Sequence, residues 1–358
     1  MQIFISQLNF AQILKLGDPS DIDIFLPFFL GRRKNFLPRT WKAVSSQELA
    51  YLSRWRRLRL TPLLYHEVIR HGWQEVVSPW LLHELKTDYA RALRTSSRQE
   101  VEILNVLRHL QRDGIEVILL KGADLRHRLY HDPALRPMID VDLLISPRMV
   151  PRARQVLHGL GYGLHHPSAD NSTRLKEKFG NELCFAPPPG KNLMIDLHWE
   201  IEGTARLYRI SFANLSVTTT NYYGMAVKIL IPEHLLIHLC LHLLNHPRYK
   251  PDDLPLGIQI VDLVWALDRL PINWPRFLEE VFRLRCALAV SYPLRGLSAL
   301  VPGLVPANVM ASLARSRSSR HEELVLWLWY GLGYLYRQFP WLENYLPRLS
   351  PLRRIWVR

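Results

Sequence analysis

Cysteine is scarce in this chain. There are three, Cys184, Cys240 and Cys286, far apart and each alone in an apolar neighbourhood. With no CxxC pair and no disulfide-like framework, they read as small buried apolar residues of a reducing compartment. A secretory start is missing as well: "MQIFISQLNFAQILKLGDPSD" has neither a basic beginning nor a small-residue cleavage site. Nor is there an uncharged apolar run of the roughly 18 to 20 residues that spans a bilayer. The nearest candidate, "LVLWLWYGLGYLY" (Leu324 to Tyr336), is too short and runs into "RQFPW". It reads as a buried helix in preference to one lying on a membrane surface. A cytoplasmic location is expected, with peripheral membrane attachment as the variant. No repeat of fixed period and no low-complexity segment is present.

Apolar residues make up 48% and charged residues 22% of the 358, the balance of a folded chain with room for two or three domains. The formal charge of +14 favours an anionic partner: a nucleotide, a nucleic acid or an anionic lipid surface. The excess gathers in "RWRRLRL" (Arg54 to Leu60), "RARQ" and the terminal "PLRRIWVR", each of which reads as a solvated helix face or tail.

From about Asn9 to Arg112 apolar residues recur three and four apart, which predicts helices that stop at Gly114. The period then changes. "IEVILLKG" predicts a buried strand, "ADLRHRLYHD" a short helix, "PALRPM" a loop and "IDVDLLI" a second strand. "PRMVPRARQVLHGLGY" predicts a helix with Pro151 in its first turn, and "ELCFAPPP" and "KNLMIDLHWEI" predict two more strands. Beyond Leu207, "VTTT" and "MAVKILI" carry strand character, and a second helical region starts at Pro232 and Glu233. The plan is a mixed α/β core at residues 113–206 between helical regions at 1–112 and 207–358.

The middle third carries the chemistry. Side chains two apart in a strand share a face, so Asp140 and Asp142 project side by side. Paired carboxylates among apolar residues must be neutralised by a proton, a cation or a basic side chain. Mg²⁺, or Mn²⁺ in its place, suits such a pair because it binds oxygen and is shared with substrate phosphates. Asp196 in "MIDLHWEI" offers a third carboxylate for a two-metal displacement at phosphorus. Upstream, "LLKGAD" takes a strand into a helix through Gly122, an arrangement that turns backbone amides toward an anion such as a triphosphate. Lys121 and Arg136 add positive charge there.

These residues resemble the nucleotidyltransferases of the DNA polymerase β type, in which a strand, a glycine turn and a helix precede a strand bearing Asp-x-Asp and a later strand with a third acid. The likeness is greatest to a little-characterised bacterial branch, carried by Leu120 to Gly122, Leu129 and Tyr130, Arg136, Asp140 to Leu144, Gly161 and Tyr162, and Asp196 to Trp199. It extends through "LTPLLYHEV", "HLLIHLCLHLLNH" and "VDLVWAL", from about residue 45 to 275. The resemblance implies an α/β nucleotidyltransferase core, Asp140, Asp142 and Asp196 as catalytic metal ligands, and Gly122 as the triphosphate turn. Two departures stand out: residue 123 is Ala where the superfamily has Ser or Gly, and Gly122 lies farther from Asp140 than is usual.

Several residues have two readings. Arg136 is a phosphate ligand or the ion-pair partner of Asp140 or Asp142, and Lys121 a phosphate ligand or a strand-end surface residue. By alternation His198 shares the face of Asp196 and either approaches substrate or orients a carboxylate; Trp199 reads as core. His234, His238, His242 and His246 recur every four residues, but the stripe drifts about 40° per step and the four cannot converge on one zinc. They predict a helix packed on the α/β unit, with one or two imidazoles near the nucleotide. Asp262 reads as a structural partner of a histidine or an arginine.

The expectation is a Mg²⁺-dependent transfer of a nucleoside monophosphate from a nucleoside triphosphate to an acceptor hydroxyl on a small molecule, protein or RNA, releasing pyrophosphate. The alternative is an inactive protein of the same fold whose basic surface holds nucleic acid or an anionic membrane.

Overall fold

The computed structural model describes residues 47–165, 181–202, 208–245 and 256–316. The predicted helix at Leu324 to Tyr336, the terminal basic tail, His246 and the sequence before Gln47 lie outside them. Among the described residues no helix is long and apolar enough to cross a membrane.

Three helices open the described chain: α1 (Glu48–Arg57), α2 (Thr61–Arg70) and α3 (Pro79–Arg112). The Ser78 hydroxyl accepts from the Leu81 amide at 3.1 Å, and Pro79 takes the first position, where no amide is needed. At 34 residues α3 is about 50 Å long. It stops where predicted, at Arg112, with Gly114 in the left-handed region (φ +71°).

The chain then builds a seven-stranded mixed sheet. Its strands are β1 (Val117–Leu119), β2 (Asp140–Ile145), β3 (Gly163–Leu164), β4 (Glu182–Ala186), β5 (Met194–His198), β8 (Val217–Tyr222) and β9 (Met225–Leu230), in the order β3-β4-β5-β2-β1-β9-β8. Strands β2 and β5 run parallel, as do β1 and β9; the other pairs are antiparallel.

Two features depart from the sequence reading. The predicted strand from Lys191 to Ile201 is broken after His198. Trp199 donates its amide to Asn181 at 3.0 Å, and β6 (Glu200–Glu202) pairs instead with β7 (Arg209–Ser211) in a separate ribbon. The sheet also reaches past the expected core limit at residue 206. Strand β9 inserts beside β1 and brings β8 with it, because a hairpin partner follows its neighbour to the edge.

Strand alternation divides the sheet into two faces. Leu119, Val141, Leu143, Ile145, Phe185, Ile195 and Leu197 pack against Ile103, Val106, Leu107 and Leu110 of α3 and against Ala153 and Leu157 of α5 (Val150–Gly159). On the opposite face Ile118, Leu120, Leu144 and Leu230 join a second cluster with the C-terminal helices. These are α6 (Pro232–Asn245), α7 (Leu256–Arg269), α8 (Trp274–Arg283), α9 (Ala287–Leu300) and α10 (Ala307–Arg315). Helix α6 is apolar nearly all round, from Leu235 to Leu244, as a central helix must be. Asp140, Asp142, Asp196 and His198 stand on this second face, in the same layer as Ile118 and Leu144.

Candidate functional site

In the parallel pair β2 and β5, Asp142 lies directly opposite Asp196, Asp140 opposite Met194, and Leu144 opposite His198. Asp140 and Asp142 therefore share a face with Asp196 and His198. Asp142, Asp196 and His198 each offer a ligand atom, and these atoms lie within 4.8 Å of one another. Among the described residues this is the sole such group. Asp140 stands one strand repeat before Asp142, outside that triplet.

Lys121 and His198 flank Asp142. The Lys121 ammonium is 2.7 Å from Asp142 Oδ1, and His198 Nε2 is 3.0 Å from the same oxygen. His198 Nδ1 lies 3.2 Å from Glu182 Oε2, so the imidazole bridges two carboxylates. Lys121 is not the surface residue of one reading: its side chain is 14% exposed, and it begins α4 (Lys121–Leu125) in the left-handed region at φ +34°.

Burial penalises every charge in this cluster, and its neighbours decide the outcome. For Asp142, Lys121 and His198 outweigh desolvation and hold the carboxyl well below its usual range. Burial pushes Asp196 up to about 6, assisted by the charge of Asp142. Asp140 is raised by burial and then by Asp142, with Lys121, Arg136 and Arg59 opposing. His198 is raised: desolvation is overcome by its bond to Asp142 and by the charge of Glu182. Asp196 Oδ1 is buried without a hydrogen-bond partner, a carboxylate oxygen with an open coordination position.

Arg136 is committed elsewhere. Its Nη2 donates to Asp262 Oδ2 at 2.7 Å, while Tyr130 Oη donates to Asp262 Oδ1 at 2.7 Å. Asp262 is thus the structural arginine partner expected of it, and the ion pair considered between Arg136 and Asp140 or Asp142 does not form. The fixed fork of Arg136 meets the carboxylate through Nε as well, at 3.3 Å. Gly122 sits beneath this residue: a Cβ there would stand 2.9 Å from Arg136 Nη1 and 2.4 Å from Met138 Sδ. Its lack of a side chain lets the loop before β2 close over the start of α4.

That loop is clamped by residues the sequence reading did not single out. Arg126, fully buried in a π-helical turn (Arg126–Tyr130), donates through Nη2 to the carbonyl of Arg136 at 3.0 Å and pairs with Glu100 at 2.8 Å. Gln99 Nε2 donates to the carbonyl of Met138 at 3.0 Å. Their only sequence signal is polarity within an otherwise apolar helical pattern.

The histidine stripe divides. His234 accepts from the Ser216 amide at 2.7 Å through Nδ1 and contacts Glu280 at 2.9 Å through Nε2. His238 faces the cluster closely enough for Lys121, Asp142 and His198 to act on it, and burial, then Lys121, push it down to about 3. Neither of its ring nitrogens has a partner. Among the described residues the stripe forms no metal-holding group. A separate groove of about 480 Å³ lies along α5, lined by Pro147, Pro151, Arg154, Gln155, His158 and Trp199, and holds none of the acids.

A family model described as an uncharacterised nucleotidyltransferase matches residues 43–302. No curated protein matches the chain. Among solved structures the chain is similar to an antigenic nucleotidyltransferase-like protein from Paracoccidioides brasiliensis, with 16% identity and a TM-score of 0.37 over 64% of this chain and 97% of that one. It is also similar to the antibiotic-resistance factor ANT(2'')-Ia, with 14% identity and a TM-score of 0.36 over 57% and 98%.

Proposed function

The chain belongs to a family of uncharacterised nucleotidyltransferases, and from that membership we propose that it transfers a nucleoside monophosphate from a nucleoside triphosphate to an acceptor hydroxyl, using Mg²⁺ or Mn²⁺ held by the acid face of β2 and β5. The observation that carries this reading is the in-register Asp142 and Asp196 with His198, three donors within 4.8 Å, one of whose carboxylates retains an unpartnered buried oxygen. The two carboxylates fit a divalent cation such as Mg²⁺ or Mn²⁺, while both ring nitrogens of His198 contact carboxylates and leave it to orient Asp142. Asp140, on the same face, completes the acidic ladder.

The bound cation would supply positive charge against the transferred phosphorus and lower the pKa of the acceptor hydroxyl. The protein's own residues do the rest. Lys121 neutralises Asp142 and keeps it ionised. His198, held between Asp142 and Glu182, fixes the orientation of the Asp142 carboxylate. Asp196 would offer its unpartnered oxygen to that cation, and the acceptor's proton would leave to water. The Arg126 and Arg136 clamps hold the approach to β2 rigid, so that Asp140 and Asp142 keep their spacing before substrate arrives.

The test is incubation with each α-labelled nucleoside triphosphate and Mg²⁺ or Mn²⁺ in a lysate, followed by identification of the labelled acceptor. The expected result is one acceptor class labelled by wild type and none by Asp142→Asn. Equal labelling by both proteins would overturn the reading. Metal-independent binding of polyanions, weakened by salt, supports instead the non-catalytic alternative.

A further inference from the structure

Arg59 belongs to the arginine run that reads from sequence as a solvated helix face. Its neighbour Arg56 fits that description, pairing with Glu84 at 2.6 Å and Asp88 at 2.7 Å near the surface. Arg59 does not. It is half-buried, in the turn between α1 and α2, and among the described residues its guanidinium has neither a hydrogen bond nor an ion pair. Its turn abuts α7 through the Ile258 amide, one helical turn before the Asp262 that holds Arg136 at the site, and the charges acting on it are those of Asp140 and Arg136.

The turn is built with care. Arg59 adopts φ +57°, a conformation that costs an L-residue about 1 kcal/mol or more. It persists because its flanks are fixed: the Arg59 amide donates to the Arg56 carbonyl at 3.1 Å and the Leu60 amide to the Trp55 carbonyl at 2.9 Å, while Leu58 and Leu60 are buried. Helix α7 locks the other side. The Ile258 amide donates to the Leu58 carbonyl at 3.2 Å, and a Cβ on Gly257 would stand 2.8 Å from Leu58 Cβ. Lys121, another of the cations acting on Asp140, is likewise a non-glycine residue at positive φ. Two strained cations thus border one acidic ladder.

A partly desolvated guanidinium without a partner lacks the interaction that offsets its burial. Asp140 does not supply it, since the two make no ion pair. The missing group must be an anion compatible with the carboxylates next to it. A polyphosphate meets that requirement: its oxygens would suit a cation held by the carboxylates, and its outer phosphates present the geometry that a guanidinium fork binds bidentately. We propose that Arg59 binds the non-transferred phosphates of the donor triphosphate, bringing the N-terminal helices into the nucleotide site. This rests on the nucleotidyl-transfer reading given above.

The experiment is calorimetric titration of the full chain with each of the four nucleoside triphosphates, the matching monophosphates and inorganic tripolyphosphate, all with Mn²⁺. The proteins are wild type, Arg59→Gln, Arg59→Lys and, as a control, the exposed Arg57→Gln. Loss of a charge-assisted bidentate contact is expected to weaken triphosphate and tripolyphosphate binding by about tenfold or more in Arg59→Gln, and by less in Arg59→Lys. Monophosphate binding should change less than twofold, and Arg57→Gln should match wild type. Triphosphate binding unchanged in Arg59→Gln overturns the inference while leaving the transfer reading intact. Equal loss for mono- and triphosphates also overturns it, since Arg59 would then act only through Asp140. If wild type binds no triphosphate, both readings fall. Thermal unfolding of each variant is measured in parallel; should Arg59→Gln not fold, the comparison of Arg59→Lys with wild type decides, and equal affinities there reject the inference.

Discussion

Asp142 and Asp196 face each other across a parallel strand pair, yet they are not equivalent acids. Asp142 has a lysine and a histidine on one oxygen and stays ionised; Asp196 keeps a buried oxygen unpartnered and is pushed up to about 6 by burial and by Asp142. The pair is asymmetric before any ligand arrives, and this asymmetry leads to the first two expectations.

Replacing Asp196 by Asn should stabilise the metal-free protein at neutral pH while abolishing divalent-metal binding. The folded-state pKa of about 6 exceeds the ordinary aspartate value of 3.8, so the group favours folding most at low pH, and that contribution is lost as pH rises through about 6. Asn keeps the shape without the charge. An increase of about 1 to 3 kcal/mol is expected at pH 7, vanishing near pH 4, read from denaturant melts at both pH values. A drop in stability at pH 7 would contradict this account.

Metal affinity should carry the same signature. A cation competes with the proton on Asp196, so binding of Mn²⁺ should strengthen as pH rises from about 5 to 7 and level off above. Electron paramagnetic resonance titration of free Mn²⁺ measures this directly, and a flat profile would count against Asp196 as a ligand.

Lys121 is the cation that Asp142 already has. Lys121→Met leaves a buried carboxylate facing only His198, and a loss of about 3 to 5 kcal/mol is expected. Added Mn²⁺ should restore part of that loss by supplying a replacement charge. Calorimetric melts with and without the ion test both halves.

At Gly122 the expectation is steric. Gly122→Ala places a methyl 2.4 Å from Met138 Sδ and 2.9 Å from Arg136 Nη1. Met138 can give way but Arg136, fixed on Asp262, resists, so the cost should be about 1 to 3 kcal/mol. Gly122→Ala combined with Arg136→Lys should be less damaged than the sum of the single changes, in a double-mutant cycle of denaturant melts.

Much of the acid face was legible because strand periodicity is a local property. Placing Asp140 and Asp142 on one face required only alternation within "IDVDLLI", and His198 followed Asp196 onto its face by the same rule. What alternation does not specify is register between strands, and the direct opposition of Asp142 and Asp196 came from pairing, not pattern. Long-range partners were less legible still. Arg136 has carboxylates four and six residues away in sequence, yet its partner is Asp262, 126 positions on. Arg126, Glu100 and Gln99 looked like ordinary polar positions of helices, since nothing local marks a side chain whose contacts are supplied by another element. The break after His198 is hidden for a related reason: "KNLMIDLHWEI" has uninterrupted strand character, and it is the pairing of Glu200–Glu202 with the distant Arg209–Ser211 that takes the chain out of the sheet.

Helix α3 begins in one apolar cluster, with Leu81 and Leu85, and finishes in the other, with Ile103 to Leu110; between them Gln99 and Glu100 grip the approach to the acids. The acid-bearing strands are therefore not a cassette that could be excised and grafted onto another scaffold. A fragment starting at β1 would leave one side of its sheet only partly covered, by α5, and its arginine clamp without a counter-ion, so any attempt to transplant these strands must carry the long rod along with it.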